Sequence, residues 1–266
     1  MPDREKFATL RGARRVWAVA SVHGEAAQLS AVHAELARRF EAGDRLVYLG
    51  NYLGRGSAVR QTVDELLRFR LLVLAAPRVH VCDIAYLRGA QEEMWQKLLQ
   101  LQFAPNPRQV LDWMVRQGLG ATLSAYGGRI DQGMIAARDG ALSITRWTNE
   151  LRAGMHAAPG HTQLMSALKR AAFTVDGNLL FVHAGIDTER PLTAQSDSFW
   201  WASSGFLKID QPYGGFRRIV RGFDPARAGV VETAHTVSLD AGCGFGGKLV
   251  ALCFDPEGRI VDRIEA

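Results

Sequence analysis

Apolar runs alternate with helical periodicity through the first hundred residues. Residues 16–20 (VWAVA) form an apolar run too short for a helix, which predicts a buried strand ending in a loop, Ser21-Val22-His23-Gly24. Leu29, Val32, Leu36 and Phe40 follow at i, i+3/i+4 spacing and predict an amphipathic helix. Residues 45–49 (RLVYL) predict a second strand, and the loop at 51–57 (NYLGRGS) leads to a helix carrying Val63, Leu66 and Leu67. Residues 79–84 (VHVCDI) predict a third strand, followed by a loop at 87–91 and a helix with Met94, Leu98 and Leu101. Three strand–loop–helix units in succession point to parallel strands, whose carboxyl-end loops are where ligand groups gather in open α/β sheets.

Residues from about 107 to 172 read as mostly helical, with Trp113, Leu123, Leu151, Leu164 and Leu168 as buried candidates. After Gly177 the pattern turns to strands, at 179–183 (LLFVH), 218–220, 236–239 (TVSL) and 249–254 (LVALCF). Asp255-Pro256-Glu257-Gly258 is a tight-turn signal, so 259–264 (RIVDRI) closes a hairpin. No repeat, low-complexity tract or linker divides residues 1–266. The expected architecture is one α/β domain with two sheets packed together, flanked by helices and carrying a helical insert at about 107–172.

Composition narrows the class. Among 266 residues, 47% are hydrophobic and 22% charged, which excludes disordered and fibrous chains. The net charge of +5 comes from 27 Arg and 5 Lys beside 36 Ala, a skew that GC-rich coding imposes. That charge is therefore weak ground for a nucleic-acid partner. Cys82, Cys243 and Cys253 lack CxxC spacing, which argues against a disulfide framework or zinc site, and all three read as buried, inert thiols. The first residues lack an apolar leader, and runs such as 71–76 (LLVLAA) are far shorter than the ~18 residues of a membrane span. A cytoplasmic protein is expected.

The loops carry a further pattern. In order they read Ala20-Ser21-Val22-His23-Gly24, Gly50-Asn51-Tyr52-Leu53-Gly54-Arg55-Gly56, Gly89-Ala90-Gln91-Glu92, Phe181-Val182-His183-Ala184-Gly185-Ile186 and Gly222-Phe223-Asp224-Pro225. This frame resembles the calcineurin-like metallophosphoesterases, in the phosphoprotein-phosphatase and bacterial diadenosine-tetraphosphatase-like group. Their loops run GDxHG, GDxxDRG, GNHE, HAG and GH. The stretch from Trp113 to Gly127, Leu239-Asp240-Ala241-Gly242 and Gly246-Gly247-Lys248-Leu249 also match, so the likeness spans about residues 15 to 255. It implies a two-sheet sandwich with helices on both outer faces.

The resemblance also implies a site, and the chain departs from it there. The family holds two divalent ions, such as Mn, Fe or Zn, on six side chains whose positions here are Ser21, His23, Asn51, Ala90, His183 and Phe223. Two of the six are kept, and both carboxylates are replaced. The family's general-acid His is Gln91 and the Asp that orients it is Gly54. Ser203, beside Trp201, stands where bacterial members carry an Arg. Two ions a few Å apart need anionic bridges, and without them no water is acidified and no phosphoryl oxygen polarised. Gln91 cannot protonate a leaving group.

The expectation is a pseudophosphatase, a binding or regulatory module without a cofactor, whose partner is another protein or a phosphorylated or anionic ligand. Arg55, whose family counterpart contacts phosphate, and Arg221 are the anion-binding candidates, expected to lie close enough to make the pocket positive. The competing reading is a residual phosphoesterase, protein-phosphatase-like or dinucleotide-tetraphosphatase-like, using one metal on His23, Asn51 and His183. Asp83, Asp224 and Glu25 are the carboxylates outside the motifs that could join such a site. His156 and His161 are expected on different helix faces, and Trp200-Trp201 in the core.

Overall fold

In the computed structural model, which describes residues 6–201 and 205–266, the chain opens with a strand its pattern did not announce, β1 (Phe7–Leu10). Only its end residues are buried, so the run carries little apolar signal. The first predicted unit follows as β2 (Arg15–Val19) and α1 (Ala26–Arg39), and the second as β3 (Asp44–Tyr48) and α2 (Val59–Leu74).

The third strand begins later than its apolar run suggests. Residues Val81–Asp83 form a short 3-10 turn, and β4 is Ile84–Tyr86. Asp83 causes the delay: its carboxylate accepts the His80 backbone N–H at 2.8 Å and pairs with Arg45 at 3.1 Å, winding the chain before the strand starts. The helix α3 (Ala90–Leu98) then opens at the third loop.

The insert is helical as expected, through α4 (Pro107–Met114), α5 (Gly120–Ala125), α6 (Ile130–Asp139), α7 (Ala141–His156) and α8 (His161–Ala167). It ends at β5 (Ala171–Thr174), inside the span read as helical. Leu123, Leu151, Leu164 and Leu168 are buried, but Trp113 is 41% exposed. His156 and His161 lie on separate helices rather than on two faces of one. Cys82 is exposed, unlike Cys243 and Cys253.

The second half supplies β6 (Leu179–Val182), β7 (Arg218–Arg221), β8 (Val231–Glu232), β9 (Thr236–Ser238), β10 (Val250–Phe254) and β11 (Ile260–Glu265). Two sheets result, one ordered β1-β5-β6-β7-β9-β8 and the other β11-β10-β2-β3-β4. The strands β2, β3 and β4 are parallel, β10 is antiparallel to β2, and β6 runs parallel to β7.

Alternation along β6 explains the layers. Leu179 and Phe181 join the large core between the sheets, where Phe181 meets Phe254 of β10 edge-on at 6.0 Å. Leu180 and Val182 face the other way, into a second cluster with Phe199, Trp200 and Phe206. The carboxyl ends of β2, β3, β4, β6 and β7 all lead into the glycine loops singled out above.

The helix α2 is fastened on two sides by similar chains of hydrogen bonds. Tyr48 Oη lies 2.8 Å from His33 Nε2, and His33 Nδ1 lies 2.6 Å from the Glu65 carboxylate. Tyr126 Oη lies 2.8 Å from His161 Nδ1, and His161 Nε2 lies 2.9 Å from Asp64. Asp64 thus ties α2 to α8, and its neighbour Glu65 ties α2 to α1. No helix among the described residues is long and apolar enough to cross a membrane.

Candidate functional site

The loops after β2, β3, β4 and β7 converge on a cavity of about 270 Å³. Its lining includes His23, Asn51, Arg55, Ala90, Gln91 and Phe223, joined by Arg227, Phe245, Trp200 and Trp201. His23, Asn51, Ala90 and Gln91 are buried, Arg55, Phe223 and Phe245 are half-buried, and Arg227 is exposed at the mouth. Ser21 and His183 are buried outside this lining, and Gly54 packs against Gln91. Ser203 lies outside the described residues.

Backbone conformation marks the same place. His23, Asn51, Arg55 and Arg227 all adopt positive φ, between 47° and 54°, and Arg78 is the other such non-glycine residue among those described. A side chain in the left-handed region costs energy, and residues held there gather at binding and catalytic sites. Glu92 holds the second loop in shape. Its buried carboxylate accepts the N–H groups of Asn51 at 2.9 Å, Leu53 at 3.0 Å and Gly89 at 2.8 Å. The loop's closeness needs Gly89, where a β-carbon would fall 2.3 Å from Asn51 N.

A relay of hydrogen bonds fixes the protons. The Gln91 backbone N–H donates to Asn51 Oδ1 at 2.9 Å, so the Asn51 amide turns its Nδ2 toward His23 Nε2, 3.3 Å away. That nitrogen must accept, which places the His23 proton on Nδ1. Burial, the neighbouring His183 and the cations Arg55 and Arg227 push the His23 pKa down to about 3, so the ring is neutral. His183 donates Nδ1–H to the Leu49 carbonyl at 2.6 Å, and burial lowers its pKa to about 4. Its Nε2 lone pair has no partner.

These residues do not make the donor set of a dinuclear metal centre. His183 Nε2 offers a lone pair, but that of His23 is taken by Asn51. Asn51 Oδ1 is occupied by Gln91 N–H. Ser21 Oγ is a neutral hydroxyl, Ala90 has no donor, and the Phe223 ring stacks on His183 at 5.5 Å and meets His23 edge-on at 5.9 Å. Among the described residues, no carboxylate lines the cavity. Among the described residues, no three His, Cys, Asp or Glu side chains are grouped to hold an ion. Asp83 is engaged with Arg45, Asp224 with Arg221, and Glu25 does not line the cavity.

The cations are placed differently from expectation. Arg55 lies with its guanidinium carbon 4.0 Å from the Phe245 ring centroid. Arg221 does not join it. Its guanidinium is buried against Asp224 at 2.7 Å and Ser238 Oγ at 3.1 Å, and lies over the Phe206 ring. The last residue of β7 thus turns inward to a neighbouring carboxylate. Arg227 is the second cation, 4.2 Å from the same Phe245 centroid. The signal for this pair was present in sequence: a lone aromatic within Gly242-Cys243-Gly244-Phe245-Gly246-Gly247 and an Arg two residues after Pro225.

Trp200 is core by burial, as expected, yet it also lines the cavity. Trp201 is half-buried there and packs edge-on against Trp113 at 5.7 Å. Four buried polar atoms of the lining have no protein partner: His23 Nδ1, Arg55 Nε, Trp200 Nε1 and Gln91 Oε1. Three of the four are N–H donors.

The architecture, two mixed sheets flanked by helices, is a metallophosphoesterase-like fold. The chain is similar to a protein assigned as a diadenosine tetraphosphatase, with 20% identity over 98% of both chains and a TM-score of 0.55. It is also similar to a Saccharomyces cerevisiae protein serine/threonine phosphatase, with 13% identity over 98% of this chain and 82% of that one, at a TM-score of 0.53. A cold-active protein-tyrosine phosphatase of a psychrophilic Shewanella gives 15% identity, coverage of 100% and 82%, and a TM-score of 0.53. The sequence matches no family model and no curated protein.

Proposed function

We propose that the chain is a non-catalytic, metal-independent module that binds a phosphate-bearing ligand in the cavity that its glycine loops form. The observation that carries this reading is the unpartnered donor set. Three buried N–H groups, on His23, Arg55 and Trp200, and two guanidiniums serve a cavity with no carboxylate among the described residues. Buried donors without acceptors are costly, and an anion supplies acceptors and charge together. Arg55 takes the leading part, since a planar guanidinium with a free Nε–H can bind two phosphate oxygens at once. The structural neighbours are named as phosphatases, which makes phosphate the anion to test first.

A single-ion phosphoesterase is the competing reading, favoured by the bare Nε2 of His183. Against it, the second histidine has no free lone pair and no anionic donor is at hand.

Calorimetry with inorganic phosphate in a phosphate-free buffer tests the proposal, together with metal analysis of the purified protein. Binding between micromolar and millimolar is expected, ~4–8 kcal/mol, weakened about tenfold or more by Arg55→Ala. Wild type should hold no stoichiometric metal and show no turnover of phosphate esters with millimolar manganese. Activity abolished by His183→Ala, or phosphate binding indifferent to Arg55→Ala, would overturn it.

A further inference from the structure

We infer that the phosphate this cavity takes is carried on an aromatic ring: the ligand is an aryl phosphate, free or as a phosphotyrosyl side chain. The inference rests on the anion-binding reading above and adds the identity of the group that bears the anion.

Charge sets the first condition. Arg55 and Arg227 bring two positive charges to one ring, Phe245, and no acid among the described residues lines the cavity. His23, in the same lining, is neutral. Two cations, Arg55 with no ion-pair partner among the described residues and Arg227 within electrostatic reach of the buried Asp240, match a phosphate monoester, which carries about −1.5 to −2 at neutral pH, better than a carboxylate. Their mutual repulsion is visible in Arg55, whose pKa burial and Arg227 both lower.

The walls set the second condition. Beside the polar His23, Asn51, Gln91 and Gln117 and the smaller apolar Ala90, Met94 and Pro225, four rings line the cavity: Trp200, Trp201, Phe223 and Phe245. The mouth extends this surface, because Trp201 is half-buried and its edge-on partner Trp113 is 41% exposed. A bare phosphate would leave these rings facing water. An aliphatic ester would cover them without the ring–ring geometry that adds to area burial. At about 270 Å³ the space lies below the usual range for drug-sized ligands, which fits one ring with its phosphate and not a dinucleotide. The phosphate meets the donors of Arg55, His23 and Trp200, and the ring leaves the cavity past Phe223 and Trp201.

The test compares inorganic phosphate, ethyl phosphate and phenyl phosphate by calorimetry on the whole chain. Wild type should bind phenyl phosphate about tenfold more tightly than ethyl phosphate. Trp201→Leu should shrink that preference to under about threefold, read as the ratio of phenyl to ethyl phosphate affinity in the same variant so that any general weakening cancels. A phosphotyrosine peptide binding more tightly than phenyl phosphate assigns the side-chain source, and equal or weaker binding assigns the free ester. Equal affinity for the phenyl and ethyl esters overturns the aryl assignment but leaves the anion site intact, as does a preference that survives Trp201→Leu. Failure of all three phosphates to bind sinks both readings.

Discussion

Gly54 and Gln91 fit one another as a pair: a β-carbon placed on Gly54 would lie 2.4 Å from the Gln91 side-chain amide. The Gln91 side chain lies across that space and donates Nε2–H to the Gln117 carbonyl at 2.8 Å. The two positions at which the resemblance implies a general acid and its orienting carboxylate are therefore sterically coupled here. A side chain at 54 and the present course of Gln91 exclude each other.

Gly54→Ala should accordingly destabilise the protein by about 1–3 kcal/mol, through overlap with Gln91 and through the positive φ of 85°. Gln91→Ala in the same chain should recover part of that loss, leaving the backbone contribution. Denaturant unfolding of the two single variants and the double variant measures the coupling. Costs that simply add would show that the contact does not limit residue 54.

The proton positions in the relay are open to direct measurement. Imidazole nitrogen shifts should report His23 as the Nδ1–H tautomer, staying neutral on acidification until pH nears its pKa of about 3. In Asn51→Asp the new carboxylate can only accept, so the His23 proton should move to Nε2. An Nε2–H tautomer in wild type contradicts the relay.

Arg221 and Arg227 should separate cleanly. Arg221→Ala leaves Asp224 buried without its cation and should cost about 3–5 kcal/mol of stability. Arg227→Ala removes an exposed side chain and should change stability by under about 0.5 kcal/mol while weakening phosphate binding. Thermal melts and phosphate titrations on the two variants provide the check, and the opposite pattern would restore Arg221 as the anion contact.

Acid stability should carry a signature of Glu65. Burial alone would raise its pKa, but the hydrogen bonds from His33 and Arg68 bring it down to about 2. A carboxyl depressed in the native state stabilises above its unfolded pKa, near 4.5, and that contribution is lost as pH falls toward 2. Glu65→Gln should be less stable than wild type at neutral pH, with the gap closing through that window. A constant gap from pH 6 to pH 2.5 would contradict this.

Much of the fold was legible because its signals are local. Apolar runs at residues 16–20, 45–49 and 179–183 are too short for helices, and glycines mark the loops between. The strand β4 was misplaced because Asp83 winds the chain through a contact with distant Arg45 that no local pattern encodes. Trp113 misled for the same reason, since its neighbour Trp201 lies on another segment. The candidate site was half legible. Family spacing located His23, Asn51, Arg55 and Gln91, but whether an arginine faces a cavity depends on nearby carboxylates. Asp224 withdraws Arg221, and Phe245 gathers Arg227 instead.

The paired fastening of α2 has a consequence for motion. Asp64 and Glu65 are successive residues, about 100° apart around the helix axis, so their two histidine chains grip it from different sides. The loop bearing Asn51 and Arg55 feeds directly into this helix, so both grips oppose its swinging. Backbone amides of Asn51, Leu53 and Gly54, bonded to Glu92 and Thr122, should therefore exchange with solvent deuterium only through near-global unfolding. On the proposed function, a pocket held that still would take its phosphate by fit, without a loop that folds down over it.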